Sequence, residues 1–311
     1  MPQVSIGVPV YNGEKYLAEA LDSLLAQSFD DFEIVISDNA STDRTSEICR
    51  SYQNKDARIR WFRSEQNCGA AWNFNRAFEL SSAPLIKWAA CDDLHEPRFL
   101  ESCVGALRND PGVVLSHTYI KMIDASGQAL RHRGDCFVDG AGKPVPPQDR
   151  KHIAEALEPE MRFRDVLTHV WWCDQSFGVM RRDAFLKTAR HGNYWGADKI
   201  LMAELALLGR FHQVPESLFA KRVHDGCSVG KKLDELEDHI DVGPAPKSYH
   251  VMMFKDYIRL ATTADISPRQ RLHCLSSVAR ETFQVRPWRR MLHTLMFRGL
   301  DRYVAPLLGR R

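Results

Sequence analysis

Along the first 120 residues the apolar positions change period several times. An apolar run at 4–8 reads as a buried strand, and 14–27 carries Leu17, Leu21, Leu24 and Leu25 at a helical spacing. A second strand is expected at 32–37, then a helix to about residue 52 that Ser41 or Thr42 can cap. Strands at 59–63, 85–89 and 113–117 alternate with helices at 70–80 and 98–108. This alternation predicts an α/β fold, a mostly parallel sheet layered between helices. In such sheets ligands collect at the carboxyl ends of the strands, where loops lead into helices. The polar signals fall there: Pro9-Val-Tyr11-Asn12 after the first strand, Asp38-Asn-Ala-Ser-Thr-Asp43 after the second, and Asp92-Asp93 after the strand at 85–89.

Beyond residue 120 the pattern loosens. A Gly/Pro-rich loop is expected at 126–151, followed by a helix at 161–170, a strand at 176–180, a helix at 197–208 and a strand at 211–222. The polar stretch 225–250 contains Gly-Pro-Ala-Pro and reads as a mobile loop, and 251–311 reads as a wholly helical extension. Its last part, 286–311, sets Trp288, Met291, Leu292 and Leu295 against Arg289, Arg290, Arg298 and Arg302. Seven Arg and one Asp there give a local charge of +6 with His neutral. Such a helix suits an anionic membrane surface, and equally a cap on its own core or on a partner chain in a dimer.

Composition narrows the class. Hydrophobic residues at 44% and charged ones at 26% describe an ordinary globular chain, and 311 residues can bury a substantial core. Lys+Arg 42 nearly cancel Asp+Glu 40, which gives no support to nucleic acid as a partner. The eight cysteines form no C-x-x-C pair, which removes the usual zinc spacings and points to a reducing compartment. With no signal peptide and no apolar run long enough to span a bilayer, a cytoplasmic location is expected, with 286–311 able to hold the chain at the inner face of a membrane.

Several residues could carry chemistry. Asp38 ends a buried strand, and a carboxylate suits a partner offering N–H, such as N3–H of uracil or thymine; it could also simply start a turn. Asp92 and Asp93 could hold Mg²⁺ or Mn²⁺, which take oxygen ligands and let phosphates complete the shell, or could form a solvated turn. Arg222 and His224 alternate onto one face after a strand, His as a competent metal ligand and Arg as a fork for a diphosphate. Lys231 lies in the loop that could close over a bound nucleotide. Trp171 and Trp172 could stack on an acceptor sugar or pack internally.

The stretch VSIGVPVYNGEKYLAEALDSLLAQSFDDFEIVISDNASTDRT resembles the opening of family 2 glycosyltransferases, which have the nucleotide-diphospho-sugar-binding GT-A fold. The spacing continues through Asn67-Cys-Gly69, Asn75 and Asp92-Asp93 to Pro97, and WGADKILMAELALLGRFHQVPESLFAKRVHDGCS resembles the family's distal catalytic segment. The resemblance covers roughly residues 3–230. It implies a GT-A domain over 1–230, with a nucleotide-binding part at 1–120 and an acceptor-side part at 121–230, then the loop 231–250 and the extension 251–311. It implies that Pro9, Tyr11, Glu14 and Asn67 line the nucleotide pocket, that Asp38 contacts the base, and that Asp92 lies near the ribose. Asp93 falls on the divalent metal, with His224 from the Arg-x-His element. Asp198 takes the place of the catalytic base, in preference to Glu204 about two turns deeper in the helix. Ala90 stands where many members carry a further aspartate, and Asn39-Ala40 replaces a common Asp-Gly.

The function these residues imply is a metal-dependent inverting transferase. It would move a sugar from a nucleotide-diphospho-sugar, UDP- or dTDP-linked, to a hydroxyl of a saccharide or lipid-linked acceptor in polysaccharide or glycolipid synthesis. A nucleotide-sugar-binding protein without catalysis would lack reason to keep Asp93 and Asp198. A sugar-nucleotide pyrophosphorylase would want a Gly-rich basic loop after the first strand, and a Rossmann oxidoreductase a G-x-G-x-x-G; neither is present.

Overall fold

The computed structural model describes residues 1–133, 136–138, 144–145, 152–227 and 249–283. The chain divides into two compact units, Met1–Pro246 and Lys247–Arg311.

The first unit begins with β1 (Val4–Val10), α1 (Leu17–Leu25), β2 (Phe32–Asp38), α2 (Thr45–Lys55), β3 (Ile59–Arg63), α3 (Ala70–Glu79) and β4 (Leu85–Trp88). It continues with β5 (Leu94–His95), α4 (Phe99–Asn109), β6 (Val113–Ile123) and three short strands, β7 (Arg131–Arg133), β8 (Cys136–Val138) and β9 (Pro144–Val145). Then come α5 (Pro159–His169), β10 (Val179–Arg181), α6 (Arg182–Phe185), α7 (Ala197–Leu208) and β11 (Arg210–Arg222). Among the described residues eight strands form one sheet in the order β3-β2-β1-β4-β10-β6-β11-β5, and β7-β8-β9 form a small antiparallel sheet of their own.

Every residue of β1, β2 and β4 is buried, because helices cover both sheet faces. Ile6, Leu17, Leu21, Ile34 and Phe99 lie at the centre of the core. The parallel pairings of β1 with β2 and β4, of β2 with β3, and of β6 with β11 give a common direction, because β10 runs against both β4 and β6. Register then levels one rim of the sheet: Val10 pairs with Asp38, and Asp38 with Arg63. At the outer strand β3, the Trp61 N–H donates to Oε1 of Gln53 on α2 at 2.7 Å.

Departures from the expected elements have local causes. β6 runs on to Ile123 because it is paired along its length with β11, whose register shifts on either side of Pro215 and Glu216. The 126–151 segment is not all loop, since it contributes β7, β8 and β9. Before β10 the chain makes a 3-10 turn, Asp174–Phe177, where a strand is expected from residue 176. A Cβ on Gly178 would lie 2.5 Å from the Ser116 carbonyl oxygen, so only glycine lets β10 enter beside β6.

Among the described residues the second unit contains two helices, α8 (Tyr249–Thr263) and α9 (Pro268–Phe283), joined through residues 264–267. No described helix is long and apolar enough to cross a membrane. Lys231, most of the expected loop at 231–250, and the basic helix at 286–311 lie outside the described residues.

Candidate active site

The loops after β1 and β2 are stitched together by side chains that take up backbone N–H groups. The Asn12 N–H donates to Ser41 Oγ at 3.0 Å, and Asn12 Oδ1 accepts the Thr42 N–H at 2.8 Å, with Asn12 itself left-handed at φ 52°. The Gly13 N–H donates to Thr45 Oγ1 and the Glu14 N–H to Asp43; the Glu14 carboxylate in turn accepts the Arg44 N–H at 3.0 Å. Glu14 therefore holds this loop pair, while Tyr11 stands exposed on the rim after Pro9 and Val10.

Asp38 is at the strand end as expected, but fully enclosed. Its Oδ1 accepts the Ser41 N–H at 2.9 Å, its Oδ2 accepts Ser46 Oγ at 2.8 Å, and Arg63 Nε lies 3.5 Å from Oδ2. The half-exposed Arg63 also donates to the Ser41 carbonyl. What reaches the surface beside the carboxylate is therefore Arg63, while Ser41 is itself buried. Asn39, a residue sequence reasoning missed, organises the next loop: its Nδ2 donates to Asn67 Oδ1 at 2.8 Å and to the Gly69 carbonyl, and its Oδ1 accepts the Cys68 N–H. Asn67 Oδ1 also accepts the Gly69 N–H at 2.9 Å, which fixes the start of α3.

Asp92 and Asp93 sit between the ends of β4 and β11. Asp92 Oδ2 is 2.9 Å from His224 Nε2, and the His224 ring lies 4.8 Å from that of Tyr16. Buried Asp93 accepts the Arg222 backbone N–H on Oδ1 at 2.8 Å. Burial, and then the charge of Asp92, push its carboxyl well above the usual carboxylate range. Arg222 is not presented to the cleft as a fork for a diphosphate. Its side chain is 1% exposed, with Nε donating to the Asp92 carbonyl at 2.8 Å and Nη2 to Glu19 at 2.7 Å, and the guanidinium lies over the Tyr16 ring. Arg222 thus builds the turn that carries the two aspartates.

The two carboxylates are donors that Mg²⁺ or Mn²⁺ accepts, the His224 imidazole is a further metal-binding donor beside them, and a cation beside Asp93 would offset the charge that burial penalises. No group of three or more His, Cys, Asp or Glu among the described residues could by itself hold a metal ion. The set fits a cation held by one or two side chains with phosphate oxygens completing its shell, rather than a closed protein cage.

Asp198 is in the first turn of α7, entered through Gly196, whose φ of 85° disfavours other residues. Asp198 Oδ1 accepts the Lys199 N–H at 2.8 Å. α7 ends where β11 begins and packs on it. Its twelve residues, about 18 Å long, therefore carry the chain from the side of the rim that holds Asp92 and Asp93, where Asp198 lies, down to the strand-start side. Glu204 is buried, and its Oε2 accepts the Ala189 N–H at 2.9 Å. Trp171 is 72% exposed, with Lys199 Nζ 4.9 Å from its ring centre, while Trp172 is half-buried with Lys221 Nζ 5.9 Å away. Lys221 is in turn paired with buried Asp174.

A charged residue that sequence reasoning passed over lies beneath this rim. Lys87 is 1% exposed; its amine donates to the Trp88 and Phe177 carbonyls and stands 4.3 Å from the Phe99 ring centre. Burial lowers it to about 7. The signal was one lysine in an otherwise apolar strand.

The family model described as Glycosyl transferase family 2 matches residues 5–188, which takes in every rim loop from Tyr11 to Asp93. The chain belongs to glycosyl transferase family 2. Chondroitin synthase of Escherichia coli is 26% identical over 243 residues, 78% of this chain and 32% of that protein. The chain spans between about a fifth and a half of the length of the curated relatives it matches. Among solved structures, residues 1–349 of Staphylococcus aureus TarS match with a TM-score of 0.64 at 20% identity, covering 92% of this chain and 73% of that one; the same protein was also solved with UDP and with UDP-GlcNAc. The mannosyltransferase PcManGT of Pyrobaculum calidifontis, in complex with GDP-Man and Mn²⁺, matches with a TM-score of 0.52 at 16% identity, over 96% and 81% of the two chains. Both structures share the fold of this family 2 chain.

Proposed function

We propose that this protein is a metal-dependent inverting glycosyltransferase that moves a sugar from a nucleotide-diphospho-sugar, UDP- or dTDP-linked, to a hydroxyl of a saccharide or lipid-linked acceptor. The observation that carries the reading is the common rim: the loops at 11–14, 38–45 and 67–69, the Asp92-Asp93 turn with His224, and the start of α7 all gather at the carboxyl ends of the parallel strands. The TarS complexes with UDP and UDP-GlcNAc support the donor class.

In this reading Pro9, Tyr11 and Asn67 line the nucleotide pocket, and Asp38 acts from beneath by fixing Ser41 and Arg63. Asp93 and His224 would hold the divalent cation together with donor phosphates, Asp92 would lie near the ribose, and Arg222 and Glu19 keep that turn in place. The cation supplies Lewis-acid stabilisation of the charge on the departing diphosphate. The Asp198 carboxylate takes the acceptor hydroxyl's proton as the acceptor oxygen bonds to the anomeric carbon. The bond from that carbon to the diphosphate breaks on the opposite face, and its electron pair leaves with the nucleotide. Trp171 offers an aromatic face to the acceptor. We place the reaction in the cytoplasm, in polysaccharide or glycolipid synthesis, with 286–311 as the segment to test for membrane or partner contact.

Asp198→Asn tests the reading directly. Transfer from a UDP-sugar should be abolished while UDP affinity by calorimetry stays within about twofold, and retained turnover would reject Asp198 as the base.

A further inference from the structure

We propose that Asn75 is a positioning residue for the catalytic base: by gripping the backbone of His191 it holds the loop that delivers Asp198, and helix α3 joins that loop to the nucleotide side. The inference rests on the role proposed for Asp198.

Asn75 Nδ2 donates to the His191 carbonyl at 2.8 Å, and Asn75 Oδ1 accepts the His191 N–H at 3.1 Å. A side-chain amide thus satisfies both backbone groups of one residue, as a neighbouring strand would. The contact spans 116 positions in sequence and is reinforced on each side. The His191 ring stacks on Phe74 at 5.4 Å with 16° between the planes. Arg190 makes a 2.9 Å ion pair with Glu79, and its guanidinium lies 5.4 Å from the Phe78 ring. Four residues of one helix therefore hold two consecutive residues of the loop.

The loop needs such holding. It is eight residues long from Ala189 to Gly196, carries two glycines, and contains Arg190 in the left-handed region at φ 66°. A non-glycine residue stays in that region only when its surroundings over-determine it. At the loop's start, the Glu204 carboxylate on α7 takes the Ala189 N–H. At its far end Gly196 leads into α7 and Asp198. Meanwhile α3 is fastened at its own start by Asn39 and Asn67, and Asn73 Nδ2 donates to the Val10 carbonyl at the end of β1. Asn75 lies six residues beyond Gly69, about 9 Å along the helix axis. One short rigid element thus reaches from the proposed nucleotide pocket to the proposed base. A base displaced by about 1 Å can cost about a hundredfold in rate, so a latch at this point acts on turnover more than on donor binding.

The test uses the full chain and the Asn75→Ala and Asn75→Asp variants. Three measurements are made: hydrogen exchange of peptides covering 188–197, UDP affinity by calorimetry, and UDP release from UDP-GlcNAc with Mn²⁺ as the probe. Asn75→Ala should speed exchange at 188–197 by roughly tenfold or more and leave UDP affinity within about twofold. It should lower kcat by about 10- to 100-fold at unchanged donor KM. Asn75→Asp keeps the acceptor for the His191 N–H and loses the donor to its carbonyl, so it should fall between. Unchanged exchange at 188–197 overturns the proposal. So does a fall in UDP affinity in step with kcat, which marks a general structural role. Full turnover by Asp198→Asn would remove the proposed base without altering the exchange result, which judges the latch separately.

Discussion

The two sides of the candidate cleft are held by different means. On the proposed nucleotide side, short polar side chains satisfy backbone N–H groups of neighbouring loops: Asn12, Ser41, Thr45, Asp43, Glu14 and Asn39 do so over the few residues that follow β1, β2 and β3. On the proposed acceptor side, the loop at 189–196 is held by a few residues far away in sequence, Phe74, Asn75 and Glu79 of α3 reaching Arg190 and His191, and Trp171 is 72% exposed. The first arrangement spreads the ordering of a rim over many small interactions and suits a group that is the same in every donor. The second concentrates it in a few residues and leaves room for acceptors to differ.

The largest effect should come where the two sides meet. Asp93→Asn removes a carboxylate from the turn between β4 and β11 while keeping an oxygen for the Arg222 N–H. We expect UDP release from a UDP-sugar to fall by roughly 100-fold or more, with little change in Tm. Near-normal release at saturating Mn²⁺ would show that the rim works without this acid.

Next, Arg222→Ala should destabilise the fold by about 3 kcal/mol in urea unfolding, because it leaves a cavity and buried carbonyls without a donor. Glu19→Gln should cost under about 1 kcal/mol, since Glu19 is 53% exposed and solvent screens its pairing. Equal losses would mean that the ion pair, rather than the buried hydrogen bonds, holds the turn.

The lysine beneath the rim gives a pH-dependent effect. Its native pKa of about 7 lies below the roughly 10.4 of an unfolded lysine, so between those values the unfolded chain holds a proton that the native chain does not, and this term favours folding more as pH rises. Lys87→Met should therefore raise Tm most below pH 7 and progressively less towards pH 10. The same gain at pH 6 and pH 9 sinks the assignment. Smallest of all, Trp171→Ala should change stability by less than about 0.5 kcal/mol and leave UDP affinity alone, while raising the acceptor KM.

What the sequence revealed follows the same division. β1, β2 and β4 read as continuous apolar runs because a parallel sheet covered on both faces demands them, and the acids at their ends stand out by contrast. β10 was harder: three residues entering antiparallel beside Gly178 carry too little pattern to give a direction. Arg222 followed by His224 looked like a ligand pair because alternation gives a face and not its burial; the fold turns the guanidinium inward and leaves the imidazole near Asp92. Asn39 and Asn75 were invisible as organisers because their partners are backbone groups, which every sequence supplies equally.

The contact between Gln53 and the Trp61 N–H bears on how the molecule behaves among its own copies. An outermost strand offers its unpaired amides to any extended segment that drifts past, and β3 is such a strand. By occupying one of those amides from the neighbouring helix, a single glutamine interrupts the ladder that a second chain would need to extend the sheet, and so helps keep crowded copies from stacking edge to edge.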